Sequence, residues 1–240
     1  MGSELALAFS FLTVTPMPTI AYQPGLLARA GRWFPLVGLM MGALLAAAQW
    51  GLGHLFTPLL SATLVIALWA ALTGGLHLDG VADCCDGLLA PVPAERRLEI
   101  MRDPRTGAFA VIGLVLLLLL KVGALATLTG ASPLLLATTW SRWNLLWTAR
   151  QPLARPSGLG ADFGQHLALQ TVLQALLLPL ALALYFFHWR TVVAIVLAVG
   201  ATLLLNHFAQ RRLGGVTGDV YGLTVEVSEV VILLIFSAAR

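Results

Sequence analysis

The 240-residue chain is 59% hydrophobic and only 10% charged, with a formal net charge of +3 and a mean hydropathy of +0.89. A soluble domain carries about 25% charged residues. This chain therefore has too little polar surface to cover a water-soluble globule, and the same numbers exclude disorder, collagen and a disulfide scaffold.

From the N-terminus, Met1-Gly2-Ser3-Glu4 lacks the basic start of a signal peptide. Residues 4–15 are apolar but stop at Pro16 and Pro18, which predicts a short interfacial or re-entrant segment. A spanning helix needs about 20 mostly apolar residues. Seven stretches meet this: 34–54, 58–78, 108–129, 132–149, 166–187, 190–208 and 218–237. The second is expected to run on towards residue 89, with Gly74-Gly75 as the place where it can break. The predicted fold is all-α: a polytopic integral membrane helical bundle, one domain over residues 1–240, with about seven spans plus the N-terminal segment.

Between the spans, residues 93–101 predict a short amphipathic surface helix, and Asp103-Pro104 predicts the cap and first turn of the third span. Residues 150–165, rich in Pro, Gly and Arg, predict an irregular loop. Adjacent Cys84 and Cys85 cannot form an ordinary disulfide with each other and read as packing residues.

With seven spans, one set of loops holds ten Arg (29, 32, 96, 97, 102, 105, 150, 155, 211 and 212) and the other only Arg190 and Arg240. The positive-inside rule then puts the Arg-rich loops in the cytoplasm and the C-terminus outside. It also accounts for a pI of 9.3 without any nucleic-acid partner. Lys121 and Arg142 are the cations left inside spans.

The acids carry the chemistry. Asp79, Asp83 and Asp86 close the second span on its cytoplasmic side, and at 100° per residue they fall within about 60° of one another. Asp219, Glu226 and Glu229 occupy the first half of the last span, within about 80°. Six carboxylates near a low-dielectric region repel one another unless a cation joins them. Hard oxygen donors without Cys or His partners favour Mg²⁺, Mn²⁺ or Ca²⁺. Arg at the same membrane face suits phosphate groups. The pattern predicts phosphate or diphosphate chemistry at the cytoplasmic boundary. His77 points away from Asp79 on an unbroken helix and reads as a packing residue rather than a general base.

The strings Phe11-Leu-Thr-Val-Thr-Pro-Met-Pro, Trp33-Phe-Pro-Leu-Val-Gly-Leu-Met-Met-Gly, Gly74-Gly-Leu-His-Leu-Asp-Gly-Val-Ala-Asp-Cys-Cys-Asp-Gly, Ile100-Met-Arg-Asp-Pro-Arg-Thr-Gly-Ala-Phe, Ser141-Arg-Trp and Gly214-Gly-Val-Thr-Gly-Asp-Val-Tyr-Gly run nearly the whole chain. In this order they resemble the cobalamin synthase family, the adenosylcobinamide-GDP ribazoletransferases. Val14, Leu223 and Pro104 depart from residues common in that family, and none of them is a candidate ligand. The resemblance implies a Mg²⁺-dependent enzyme of the inner membrane. It joins adenosylcobinamide-GDP to α-ribazole or its 5′-phosphate and releases GMP, a late step of cobalamin biosynthesis. On this expectation Asp79, Asp83 and Asp86 hold Mg²⁺. Asp219, Glu226 and Glu229 complete its shell or accept the nucleophile's proton, with Glu226 favoured as the base. Arg102, Arg105, Lys121 and Arg142 neutralise phosphates.

The alternatives are CDP-alcohol phosphotransferases, whose motif carries an Ala-Arg absent here, prenyltransferases with two Asp-rich motifs, and a cation-coupled transporter. A homo-oligomer is compatible with the sequence and not specified by it.

Overall fold

The computed structural model describes residues 2–18, 20–21 and 23–238; Arg240, counted in the charge bias, lies outside them. Among the described residues twelve α-helices follow in order: α1 (Gly2–Leu12), α2 (Leu26–Ala30), α3 (Phe34–Gly53), α4 (Pro58–Thr73), α5 (Leu76–Leu89), α6 (Ala94–Ile100), α7 (Ala108–Thr127), α8 (Ser132–Ala149), α9 (Leu159–His166), α10 (Leu169–Tyr185), α11 (Trp189–Leu213) and α12 (Gly218–Ser237). Among the described residues there is no strand, only an isolated parallel bridge between Leu153 and Val216. The chain is a polytopic helical membrane bundle. α1 is the short N-terminal apolar segment, held to α2 and the turn before α3 by Glu4, which pairs with Arg29 and Arg32.

By length and composition four helices can cross a membrane, or six when each of two bent pairs counts as one span. The stretch 132–149, expected as a seventh, is not among them. α8 carries Thr138, Thr139, Ser141, Arg142, Asn144 and Thr148, all buried. Such polar cargo is tolerable only where protein rather than lipid surrounds it. α3, α10 and α12 provide that enclosure. The approach of α3 is close: a Cβ on Gly38 would lie 2.2 Å from the Thr138 carbonyl oxygen, and one on Gly42 2.4 Å from Thr138 Oγ1. Gly38 and Gly42 have the Gly-x-x-x-Gly spacing that lets membrane helices touch backbone to backbone.

The second span does not run through to residue 89. Gly74 (φ 60°) and Gly75 (φ 73°) both take the left-handed conformation, which ends α4, and α5 leaves at 91°. The Val14 N–H donates to Leu72 O at 2.8 Å and fastens the N-terminal segment to this break. α5 is then secured at its far end. Buried Arg97, on the predicted surface helix α6, donates to the Gly87 and Leu88 carbonyls at 3.0 and 2.7 Å. These are among the carbonyls a helix C-terminus leaves without partners.

The cap of α7 differs from expectation. The helix starts at Ala108, and Asp86 of α5 accepts from the Gly107 and Ala110 N–H groups at 2.7 and 2.9 Å. An acceptor arriving from another helix does what Asp103 was expected to do. Asp103 instead folds onto Arg105, bonding its N–H at 3.0 Å and its guanidinium at 2.9 and 2.6 Å. Those bonds hold the Asp103 carboxyl down at about 2.

The irregular loop expected over residues 150–165 extends only to residue 158, because Leu159–His166 form α9, and its irregular part is anchored. Val216 donates to Pro152 O at 2.8 Å and Ala154 to Val216 O at 2.9 Å. This ties the loop to the Gly214-Gly215 turn between α11 and α12.

Candidate active site

The site begins where α5 crosses the start of α12. A Cβ on Gly80 would sit 2.6 Å from the Asp219 carbonyl oxygen, and one on Gly222 3.1 Å from the His77 carbonyl oxygen. The crossing leaves no room for a side chain at Gly80 and is tight at Gly222. It brings Asp79 and Asp83 of α5 to the N-terminal turn of α12, where Asp219 lies. Among the acids, Asp83 feels Asp219 and Asp79 most strongly, with Arg155 as the opposing cation. Neither the Asp79 nor the Asp83 carboxylate has a hydrogen-bond partner among the described residues. Asp219 accepts from Thr217 Oγ1 at 3.0 Å and lies 3.7 Å from the Arg155 guanidinium.

Arg155 is the site residue that sequence reasoning passed over. Its guanidinium also donates to Leu98 O at 2.8 Å, so the loop cation is fixed between α6 and α12. Its position inside a loop bracketed by Pro152 and Pro156 was the available signal. Arg102 is exposed on the same side and acts electrostatically on both Arg155 and Asp219.

The six acids do not form one set. Asp86 is occupied by the start of α7. Glu226 and Glu229 lie seven and ten residues beyond Asp219, roughly 10 and 15 Å along the helix. There they meet the two intramembrane cations. Lys121 Nζ is 2.6 Å from Glu226 Oε2 and 2.6 Å from Glu229 Oε2. Arg142 pairs with Glu229 Oε1, and Ser141 Oγ joins at 3.2 Å. The Lys121 ammonium also sits 4.2 Å from the Trp69 ring centroid. Two cations and two anions cancel in a region closed to water, joining α7, α8 and α12. Lys121 and Arg142, expected at phosphates, are therefore engaged with carboxylates. Arg105, also expected there, is held by Asp103 and is largely exposed.

Two cavities adjoin the acids. One of about 690 Å³ is lined by Ser10, Thr13, Thr73, Asp79, Thr106 and Leu114, among others. A smaller one of about 180 Å³ lies against His77, Asp79, Leu145, Gly160, Asp219 and Tyr221. Asp79, Leu76 and Phe11 line both. A third cavity of about 740 Å³ lies between the end of α3, the start of α4 and the α7–α8 connection. No Asp, Glu, Lys or Arg among the described residues lines it. Among the described residues no three His, Cys, Asp or Glu side chains are arranged to cage a metal ion by themselves.

Fold and site together define a multi-pass membrane protein with free carboxylates and a fixed arginine at one end of its bundle. The family described as cobalamin-5-phosphate synthase matches residues 4–237, and the chain belongs to it. Three relatives carry the name adenosylcobinamide-GDP ribazoletransferase. That of Pseudomonas paraeruginosa is 41% identical over 237 residues, covering 96% of each chain. That of Thermosynechococcus vestitus is 38% identical over 235 residues, 93% of this chain and 92% of its own. That of Roseiflexus sp. is 37% identical over 230 residues, 94% of this chain and 86% of its own. No solved structure matches.

Proposed function

We propose that the chain is an inner-membrane adenosylcobinamide-GDP ribazoletransferase with its active site facing the cytoplasm and its C-terminus outside. It transfers the adenosylcobinamide-phosphate group to α-ribazole or α-ribazole 5′-phosphate and releases GMP. The observation that carries the reading, beyond family membership, is Asp79, which lines two cavities, with the likewise unpaired Asp83 on the same helix and Asp219 and Arg155 close by.

The reaction forms one O–P bond and breaks another. A hydroxyl oxygen of the ribazole attacks the cobinamide-side phosphorus of the diphosphate, and the bond to GMP breaks with its electron pair leaving on the GMP phosphate. Such transfer depends on positioning and charge neutralisation. The donor set, hard carboxylate oxygens without a protein partner, fits Mg²⁺. That ion typically binds one or two carboxylates plus phosphate oxygens and keeps several waters, so it needs no three-carboxylate cage. Asp79 and Asp83 would hold it, and it would supply charge neutralisation to the diphosphate. Arg155, with Arg102, binds diphosphate oxygens from the loop side. Asp219, lining the smaller cavity, accepts the proton of the attacking hydroxyl. This assigns to Asp219 the role considered for Glu226, because Glu226 is already bonded to Lys121. Asp86, Glu226, Glu229, Lys121 and Arg142 hold the helices in register beneath the site.

The test is purified protein in lipid with Mg²⁺, adenosylcobinamide-GDP and α-ribazole 5′-phosphate. The expected result is cobamide phosphate and GMP in equal amounts. Folded protein that yields neither from intact substrates would overturn the reading.

A further inference from the structure

Arg97 is buried, and it pairs with no carboxylate among the described residues. A cation in that position is costly unless something else holds it. Its guanidinium donates to the Gly87 and Leu88 carbonyls at 3.0 and 2.7 Å, at the C-terminus of α5, where the helix carries partial negative charge. Packing closes the same junction: a Cβ on Gly87 would run into the Met101 side chain and lie 3.3 Å from the Arg97 carbonyl oxygen. Gly87 stands about one helical turn beyond Asp83.

The next residue of α6 serves the cation side of the site. The helix leaves Leu98 O free, because the Arg102 N–H bonds to Glu99 O at 3.0 Å. Arg155 takes that carbonyl at 2.8 Å, and the same guanidinium lies 3.7 Å from Asp219. Through two adjacent residues, α6 thus holds both the end of α5, the helix of Asp79 and Asp83, and the loop arginine of the site. α6 has only seven residues, and a helix this short depends on its tertiary contacts for its place.

Resting on the transferase reading above, in which Arg155 binds the diphosphate, we infer that Arg97 is a positioning residue for the reaction: by fixing α6 to the end of α5, it sets where Arg155 stands relative to the α5 carboxylates. Arg97 touches no substrate in this account. Its effect passes through Leu98 O to Arg155, so it is felt by the diphosphate donor and not by the ribazole acceptor. Arg97 and Arg155 act as one unit, and removing either takes away most of what the other contributes.

The test uses the full-length protein in lipid, with each substrate varied in turn. Arg97→Met removes the guanidinium and strands no acid. It should raise KM for adenosylcobinamide-GDP about tenfold, while KM for α-ribazole 5′-phosphate stays within about twofold. Arg97→Lys, with a single nitrogen in place of the fork, should fall between wild type and Arg97→Met. In an Arg155→Gln background, Arg97→Met should change the donor KM by no more than about threefold further. A purely structural role would instead lower the active fraction and leave both KM values where they were. An unchanged donor KM in folded Arg97→Met, or a further rise of about tenfold in the Arg155→Gln background, would overturn the inference. If Arg97→Met does not fold, Arg97→Lys decides: a donor KM raised about threefold or more supports the inference, and a wild-type value overturns it. Calorimetry of adenosylcobinamide-GDP binding with no acceptor present should rank the variants in the same order. That order in a protein that forms no product would support the link from Arg97 to Arg155 and fault the transferase reading instead.

Discussion

Lys121 and Glu226, 105 residues apart in sequence, meet at 2.6 Å in a buried contact between α7 and α12. Each would be a costly guest in a membrane alone. With Glu229 and Arg142 they form a neutral group of four, so the consequence of a substitution depends on whether the charge count stays even. Lys121→Met leaves two anions facing one cation and should cost about 3–5 kcal/mol. Lys121→Met combined with Glu226→Met leaves the Arg142–Glu229 pair balanced and should recover much of that loss. Thermal unfolding of the three proteins in the same detergent checks this.

Asp83 and Asp86 are three residues apart on one helix, but Asp86 caps α7 while Asp83 has no hydrogen-bond partner among the described residues. Asp86→Ala strips an acceptor from the Gly107 and Ala110 N–H groups and should cost about 1–3 kcal/mol of stability. Asp83→Asn should leave the melting temperature near wild type and lower turnover by about 100-fold or more. Melting curves and rates on the same preparations distinguish the two effects.

The contact of α3 with α8 leaves no room for a side chain at Gly38. Gly38→Val should destabilise the bundle by about 1–3 kcal/mol or more through forced separation of the two backbones. The same change at Gly123, where a Cβ meets nothing within 4 Å, should have little effect. Parallel melting curves test the contrast.

Arg155 is fixed at Leu98 and Asp219, in reach of a diphosphate at the acids. Arg155→Gln should raise KM for adenosylcobinamide-GDP about tenfold to a hundredfold, the loss expected of a charged hydrogen bond. KM for the ribazole substrate should change much less. Initial rates with each substrate varied in turn measure both.

The helices were legible because apolar runs of spanning length announce themselves, and Gly74-Gly75 marked the break in the second span. The pair Asp79 and Asp83 was legible from spacing on one helix face. What spacing does not specify is the neighbour that a face meets. Helix periodicity placed Glu226 and Glu229 on the same stripe as Asp219, yet roughly 10 Å of helical rise separates a site at the helix end from a buried ion cluster. Asp103 had every local feature of a cap, but Asp86 reached the start of α7 from another helix. The polarity of α8 and the Gly38–Gly42 spacing were readable signs of an enclosed central helix. Arg155 had no periodicity to reveal it, because an irregular loop positions it.

The most direct test of the account is the Mg²⁺ dependence of turnover in wild type, Asp79→Asn, Asp83→Asn and Asp86→Asn, each started from chelator-treated protein in lipid. The account predicts that wild type is silent until Mg²⁺ is added. Asp79→Asn and Asp83→Asn should lose activity or need far more metal, while folded Asp86→Asn keeps the wild-type requirement. Normal turnover by Asp83→Asn at the wild-type Mg²⁺ concentration would contradict it.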